Sequence, residues 1–474
     1  MAVDDQQAHG VTDSGKTNGG MTDWAAFAAA LGDIPLITDR ALVRQKSRDF
    51  FWYSPILKPL LNHKSADLVV CPRNEADVVA TLSLCARHRV PLTPRGAGTG
   101  NYGQAVPLEG GVVLEMTSMD RILALEDGLL TVEPGRRLID IERAVAGQGW
   151  ELRMYPSTKR TATIGGFVGG GSGGIGSVTY GGLRERGNIV AARVVSCEPQ
   201  PRIVELRGDA VGRVNHAYGT TGIITALTLP LAPLLPWIDV VASFDDFMTV
   251  ATCARALALS DGIAKKLVTV VASPLPQYLR GLDVPAGKHV LIAMIAKHAL
   301  IGWEDHLAQF GGTEILRRAT AEAEGNPEFT PVYEYTWNHT TLHALRADKG
   351  VTYLQSLFPA DRALALVEET FHAYGEEVMI HLEFQRVAGA VTCSGLQVVR
   401  FTTAERLSTI IAELLARGIM IANPHEYTLE DGAGHKRIGA EQPAFKREMD
   451  PMGLLNPGKM RSFVADQPPP APAS

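Results

Sequence analysis

Short apolar runs alternate with amphipathic stretches through the first half of the chain. Residues 67–71 (Asp-Leu-Val-Val-Cys) predict a strand, and Asn74 predicts the cap of a helix reaching about Arg89. Val78, Val79, Leu82 and Cys85 fall on one face of that helix. Residues 111–115 and 129–133 read as further strands, Pro134-Gly135 as a turn, and residues 138–146 as a helix. Strand patterns return at 189–196, 203–206 and 223–229. The proline-rich stretch 229–236 then predicts a domain boundary. Beyond it the pattern lengthens, with helices over 248–259 and 404–417 and strands over 290–296 and 377–385. In that last strand Val378, Ile380, Leu382 and Phe384 share one face, and Met379, His381, Glu383 and Gln385 the other. No internal repeat is present. The reading is α+β: an α/β unit followed by a second unit with an antiparallel sheet.

Composition narrows the class. At 474 residues, more than one core is expected. A net charge of −6 supplies no field for nucleic acid or an anionic membrane. No apolar run approaches the roughly 20 residues of a membrane helix. Residues 1–20 are polar and glycine-rich and read as a disordered leader without a secretory segment, so a cytoplasmic location is expected. Residues 466–474 read as a loose tail. The five cysteines are scattered and form no C-x-x-C pair, which fits reduced thiols rather than disulfides or a zinc site.

The chemistry-bearing signal is glycine. Pro94-Arg-Gly-Ala-Gly-Thr-Gly-Asn-Tyr-Gly103, Thr163-Ile-Gly-Gly166, the run 169–176 and Gly219-Thr-Thr-Gly222 each place glycines where the chain turns after apolar residues. Such turns present bare N–H groups that suit a diphosphate. Residues 169–174 formally satisfy G-x-G-x-x-G, but the nicotinamide fingerprint should follow a strand and open a helix. Here it runs into more glycine.

Together with the ending Asp450-Pro…Leu455-Asn-Pro-Gly-Lys459, these segments resemble the FAD-linked oxidase family of vanillyl-alcohol oxidase, D-lactate dehydrogenase and the glycolate oxidase flavoprotein subunit. The match covers residues 63–233 and the ending. The resemblance implies a two-part FAD-binding domain of the PCMH type over 21–236, a substrate or cap domain over 237–422, and a C-terminal return over 423–465. It places Arg95, Gly96, Ala97, Gly98, Thr99, Gly100, Asn101 and Tyr102 around the FAD diphosphate. Ser157, Thr163, Ile164, Gly165, Gly166, Gly170, Gly173, Gly174 and Gly176 follow along the cofactor. Gly222 and Ile223 approach the adenine side, and Lys459 bounds the return. Many relatives attach FAD through a histidine or cysteine in these loops. Neither 95–103 nor 163–176 contains one, so FAD is expected to be non-covalent.

The resemblance also implies hydride transfer from an alcohol or hydroxy acid to the flavin, with oxygen, a quinone or a carrier protein as acceptor. Candidate catalytic groups lie in the variable middle and the return. His381 and Glu383 either floor a substrate cavity or face solvent on an outer sheet face. Tyr333, Tyr335 and Trp337 alternate, and His339, His343 and Arg346 share a helix face. Arg346 suits a substrate carboxylate. His425, Glu426, Glu430, Asp431 and His435 form a last cluster. Hydroxy-acid dehydrogenases of the family carry Glu-His-Gly-x-Gly where this chain has Glu430-Asp-Gly-Ala-Gly434, so no metal is expected. Two alternatives stand beside the oxidoreductase: an FAD-binding partner subunit with little catalysis, and a non-redox flavin transferase. An oligomer is compatible with all three.

Overall fold

The computed structural model describes residues 22–171, 173–431 and 438–463. It is α+β, with four sheets. The first runs in spatial order Leu36–Ile37, Leu68–Val70, Val112–Glu115, Leu92–Arg95. Its last three strands are parallel. Parallel neighbours need a crossover, and the helix Glu75–His88 supplies it. Asn74 caps that helix by accepting from the Asp77 N–H at 3.0 Å.

The second sheet is antiparallel and centres on the long strand Ile223–Pro233. That strand pairs with Leu129–Val132, Trp150–Leu152 and Ala191–Val195. The proline-rich stretch is therefore no loose linker. It is the end of a strand, and Trp237–Phe244 begins the third sheet almost at once. Prolines sit here at the strand's end, where missing N–H donors cost the ladder little.

The third sheet has eight antiparallel strands, with Trp237–Phe244, His289–Ala296, Lys265–Val271, His381–Val387 and Ala390–Gly395 adjacent in that order. Alternation divides its side chains between two cores. Val240, Ala242, Val268, Val270 and Leu382 pack with the helices Phe247–Leu259 and Ala363–Tyr374. Val241, Leu267, Val271 and Met294 join Leu130, Tyr155 and Val168 in one apolar cluster. That second cluster fuses the large sheet to the N-terminal half.

The strand expected over 377–385 is broken at Ile380. Val378–Met379 pairs with Val398–Arg400 in a small sheet, while His381–Val387 enters the large one. The predicted apolar face is apolar core. The polar face is not solvated: His381, Glu383 and Gln385 are 0%, 1% and 5% exposed. Tyr333 and Tyr335 belong to a short 3-10 turn, Val332–Tyr335, rather than a strand. The glycine-rich segment holds two short helices, Ile164–Gly170 and Ser177–Tyr180. Thr163 caps the first, and its Ile164, Phe167 and Val168 turn into the core. The helix ends inside the glycine run, so the formal dinucleotide pattern does not open a helix. The five cysteines are free, and burial pushes the Cys253 and Cys393 thiols up to about 12.

Candidate active site

A cleft lies between the glycine segments and one end of the large sheet. The first loop contributes every residue from Arg95 to Tyr102. Ser157, Thr163, Gly165, Gly166, Gly170 and Gly173 follow from the second region, and Gly222 and Ile223 from the third. Four of the predicted positions lie behind this lining. Ile164 is core. Gly174 and Gly176 press against the backbone of Tyr155 and Arg153, and Lys459 is buried beneath the first loop.

The glycines serve two different purposes. The Arg95 guanidinium donates to the Arg48 carbonyl and to the Ala97 carbonyl at 3.2 Å, folding under Gly98. A Cβ on Gly98 would collide with that guanidinium, and its φ of +72° is costly for other residues. Gly169 and Gly170 differ. A Cβ on Gly169 would meet nothing within 4 Å, and one on Gly170 only the Gln104 amide at 3.7 Å. Both line the cleft, so their bare backbone faces the space a ligand would occupy.

The loops are held from behind by the C-terminal return. The Asn456 amide donates to the Gln104 carbonyl at 2.9 Å and the Tyr218 carbonyl at 2.8 Å, tying two loops together. Lys446 donates to the Thr220 and Leu455 carbonyls at 3.0 Å each and to Asp450 at 2.7 Å. Lys459 donates to the Gly103 carbonyl at 2.6 Å. It is 0% exposed, not a solvated lysine after a turn. Asp49, which also lines the cleft, accepts from the Phe51 and Ala105 N–H groups at 3.0 and 3.3 Å. Burial pushes the Asp49 carboxyl up and the Lys459 ammonium down, and each charge partly offsets the other's shift. The Asn-Pro-Gly-Lys ending thus carries a physical task that sequence reading assigned only to Lys459.

The opposite wall comes from the second half. Trp337, Asn338, His339 and Leu342 enter from the start of the helix Asn338–Ala347. Gln355 and Gln385 enter from the large sheet. The Tyr102 hydroxyl donates to Gln355, which donates to Asn338 at 3.3 Å, so a polar chain crosses the cleft. His339 Nδ1 lies 2.8 Å from Glu334 Oε2.

The predicted catalytic residues disperse. His381 and Glu383 form a 2.8 Å pair in the interior behind the wall, and only Gln385 of that strand face lines the cleft. Tyr335 is buried and donates to the Arg280 carbonyl at 3.1 Å. Arg346 is exposed. His343 packs on the Tyr335 ring, and burial lowers its pKa to about 4. His425 receives the Ser54 hydroxyl at 2.7 Å on Nδ1 and donates from Nε2 to the Tyr353 carbonyl at 3.0 Å. Both of its ring nitrogens are therefore occupied. Glu430 accepts from the Ser462 N–H and hydroxyl at 2.7 and 2.8 Å. Glu426 is half-buried, and Asp431 ends the short turn Leu429–Asp431. His435 lies outside the described residues, with the rest of 432–437. Sequence reading placed His339 on a polar helix face but missed its link to Glu334, and it gave Trp337, Asn338, Gln104 and Asn456 no role. The five-residue spacing of Glu334 and His339 across a helix start was the available signal.

A family model for an FAD binding domain matches residues 66–206. Glycolate oxidase subunit GlcD of Bacillus subtilis (strain 168) is 26% identical over 439 residues, covering 83% of this chain and 88% of that protein. D-lactate dehydrogenase of Anaerostipes hadrus is 34% identical over 181 residues, covering 35% of this chain and 36% of the relative. Among solved structures, an alkyldihydroxyacetonephosphate synthase superposes with a TM-score of 0.70 at 15% identity, covering 96% of this chain and 90% of the other. At that identity the likeness concerns the fold. FAD is the cofactor these findings support, and the cleft fits it. Open glycine backbone faces the cleft at Gly169 and Gly170.

Proposed function

We propose that this chain, a member of the FAD-linked oxidases by its PCMH-type FAD-binding domain, oxidises an alcohol or hydroxy acid, with His339 as the base. The loops 95–102, 157–173 and 222–223 would hold FAD non-covalently. Bound there, FAD supplies the two-electron acceptor that takes hydride from the carbinol carbon. The chain's own residues handle position and protons. Glu334 accepts the Nδ1 proton of His339, which leaves the Nε2 lone pair to take the substrate's hydroxyl proton. His339 is the only histidine among the described residues of the cleft wall. Asn338 and Gln385, on the same wall, supply neutral donors and acceptors that orient the substrate.

The observation that carries this reading is the His339–Glu334 pair facing the glycine loops across the cleft. The names of the relatives, a glycolate oxidase subunit and a D-lactate dehydrogenase, support hydroxy acids as the first substrates to try. The test is anaerobic mixing of the FAD-loaded protein with glycolate, D-lactate and benzyl alcohol. The expected result is bleaching of the flavin, slowed by about 10²- to 10⁴-fold in His339→Gln at unchanged FAD content. Bleaching that is equally fast in the variant would remove His339 as base. No bleaching by a broad alcohol panel would favour the partner-subunit alternative, and turnover without bleaching the transferase. Acid precipitation should leave flavin in the supernatant; colour in the pellet would refute non-covalent binding.

A further inference from the structure

The oxidation reading leaves two substrate classes open, alcohols and hydroxy acids. They differ in what flanks the reacting carbinol, and the wall opposite the glycine loops distinguishes them. A carboxylate offers acceptors only, so a site that takes one out of water needs N–H donors and a cation. Among the described residues the cleft lining holds one guanidinium and no ammonium. That guanidinium, Arg95, is folded under Gly98 onto the Arg48 and Ala97 carbonyls. Arg346, the residue suited to a carboxylate, is exposed and outside the lining.

The wall instead presents neutral groups whose open ends follow from the bonds they already make. Gln355 donates to Asn338 Oδ1 at 3.3 Å, which leaves the Asn338 amide N–H groups open. Glu334 holds His339 at Nδ1, which leaves Nε2 open. Gln385 is 5% exposed, and its Nε2 donates to Ser394 Oγ at 2.6 Å. With the donor end of the amide engaged, the acceptor end remains. Gln385 Oε1 has no hydrogen-bond partner among the described residues and, unlike the Trp337 indole nitrogen, is not closed off from solvent. It sits where the two walls meet, for a Cβ on Gly173 would lie 3.3 Å from it. An amide oxygen there accepts from a hydroxyl and repels a carboxylate.

We propose that Gln385 is a specificity residue whose Oε1 accepts from a second hydroxyl beside the reacting one, so that the substrate is an uncharged vicinal diol or polyol rather than a hydroxy acid. This rests on the oxidation reading above for the reaction itself. The product is then a hydroxy aldehyde or hydroxy ketone, with hydride passed to FAD and the carbinol proton to His339.

The experiment uses the FAD-loaded protein with ethylene glycol, glycolate and ethanol, which share a reacting CH2OH and differ only in its neighbour. Anaerobic flavin bleaching gives kcat/KM for each in wild type, Gln385→Leu and Gln385→Glu. Ethylene glycol is expected ahead of ethanol, and both ahead of glycolate. The advantage of ethylene glycol over ethanol should fall about tenfold in Gln385→Leu, the loss of one hydrogen bond. It should persist in Gln385→Glu, which keeps an acceptor. Glycolate ahead of ethylene glycol in wild type, or the same advantage in all three proteins, overturns the proposal. Binding of the three compounds is read separately by saturation-transfer NMR, which needs neither FAD nor turnover. Bleaching by none of them, with ethylene glycol bound in preference to glycolate, would sink the oxidation reading and leave this one standing. Absence of binding by all three overturns this one too.

Discussion

Lys459 donates to the carbonyl of Gly103 at 2.6 Å from a position without solvent exposure, so a residue of the C-terminal return fixes the loop opposite it in the fold. Its charge also offsets the burial of Asp49. Lys459→Met removes both effects. The expected loss is about 1–3 kcal/mol of stability, with weaker retention of FAD. Urea unfolding and flavin content after gel filtration check it. Wild-type values in both would leave the lysine without a role.

Asn456 sits at φ 41°, a conformation glycine adopts freely. Asn456→Gly therefore keeps the backbone and deletes only the amide that bridges Gln104 and Tyr218. Two hydrogen bonds at about 1 kcal/mol each predict a stability loss of about 2 kcal/mol. FAD affinity should fall alongside, by about fivefold if half of that loss appears in the dissociation constant. Fluorescence titration of FAD into apoprotein measures it.

Gly170→Leu and Gly98→Ala separate the two uses of glycine. A side chain at Gly170 enters the cleft without striking the fold, so thermal stability should hold while FAD stoichiometry collapses. Even the single carbon of Gly98→Ala displaces the Arg95 guanidinium at positive φ, and should cost stability by about 1 kcal/mol or more. A Gly170→Leu protein that still binds FAD fully would move the cofactor elsewhere.

His425 is neutral and buried, with its pKa lowered from 6.5 to about 4. The unfolded chain binds that proton first. Stability from this group is therefore complete above pH 6.5 and lost as pH falls toward 4, by about 2 kcal/mol between pH 7 and 5. Burial raises Asp239 to about 6 and gives the opposite slope in the same window, so the measurement must be a difference. Urea midpoints at pH 7 and 5 should converge for His425→Gln and wild type at the lower pH. Parallel pH profiles would show that His425 is not the group lost.

Local signals proved readable where one segment suffices. The cap at Asn74, the glycine loops and the alternation of 378–385 all act through near neighbours in the chain. Whether the polar face of that strand met water, cavity or interior depended on Thr269 and Trp337, which come from other strands and turns. The same holds for His425, whose ring is filled by Ser54, 371 positions away. Periodicity says which side chains share a face, not what that face meets. His339 was legible as a helix-face histidine. Its choice over His343 required knowing which turn of the helix borders the cleft.

The pairing of Leu455 with Leu92, and the reach of Asn456 and Lys459 to Gln104 and Gly103, impose a sequence in time. A ribosome makes the glycine loops early and their fasteners late. The nascent N-terminal half must therefore wait, incompletely fastened, until some 350 further residues have been added. A chain truncated before residue 446 would be synthesised with its loops present but without the contacts that Lys446, Asn456 and Lys459 make to them.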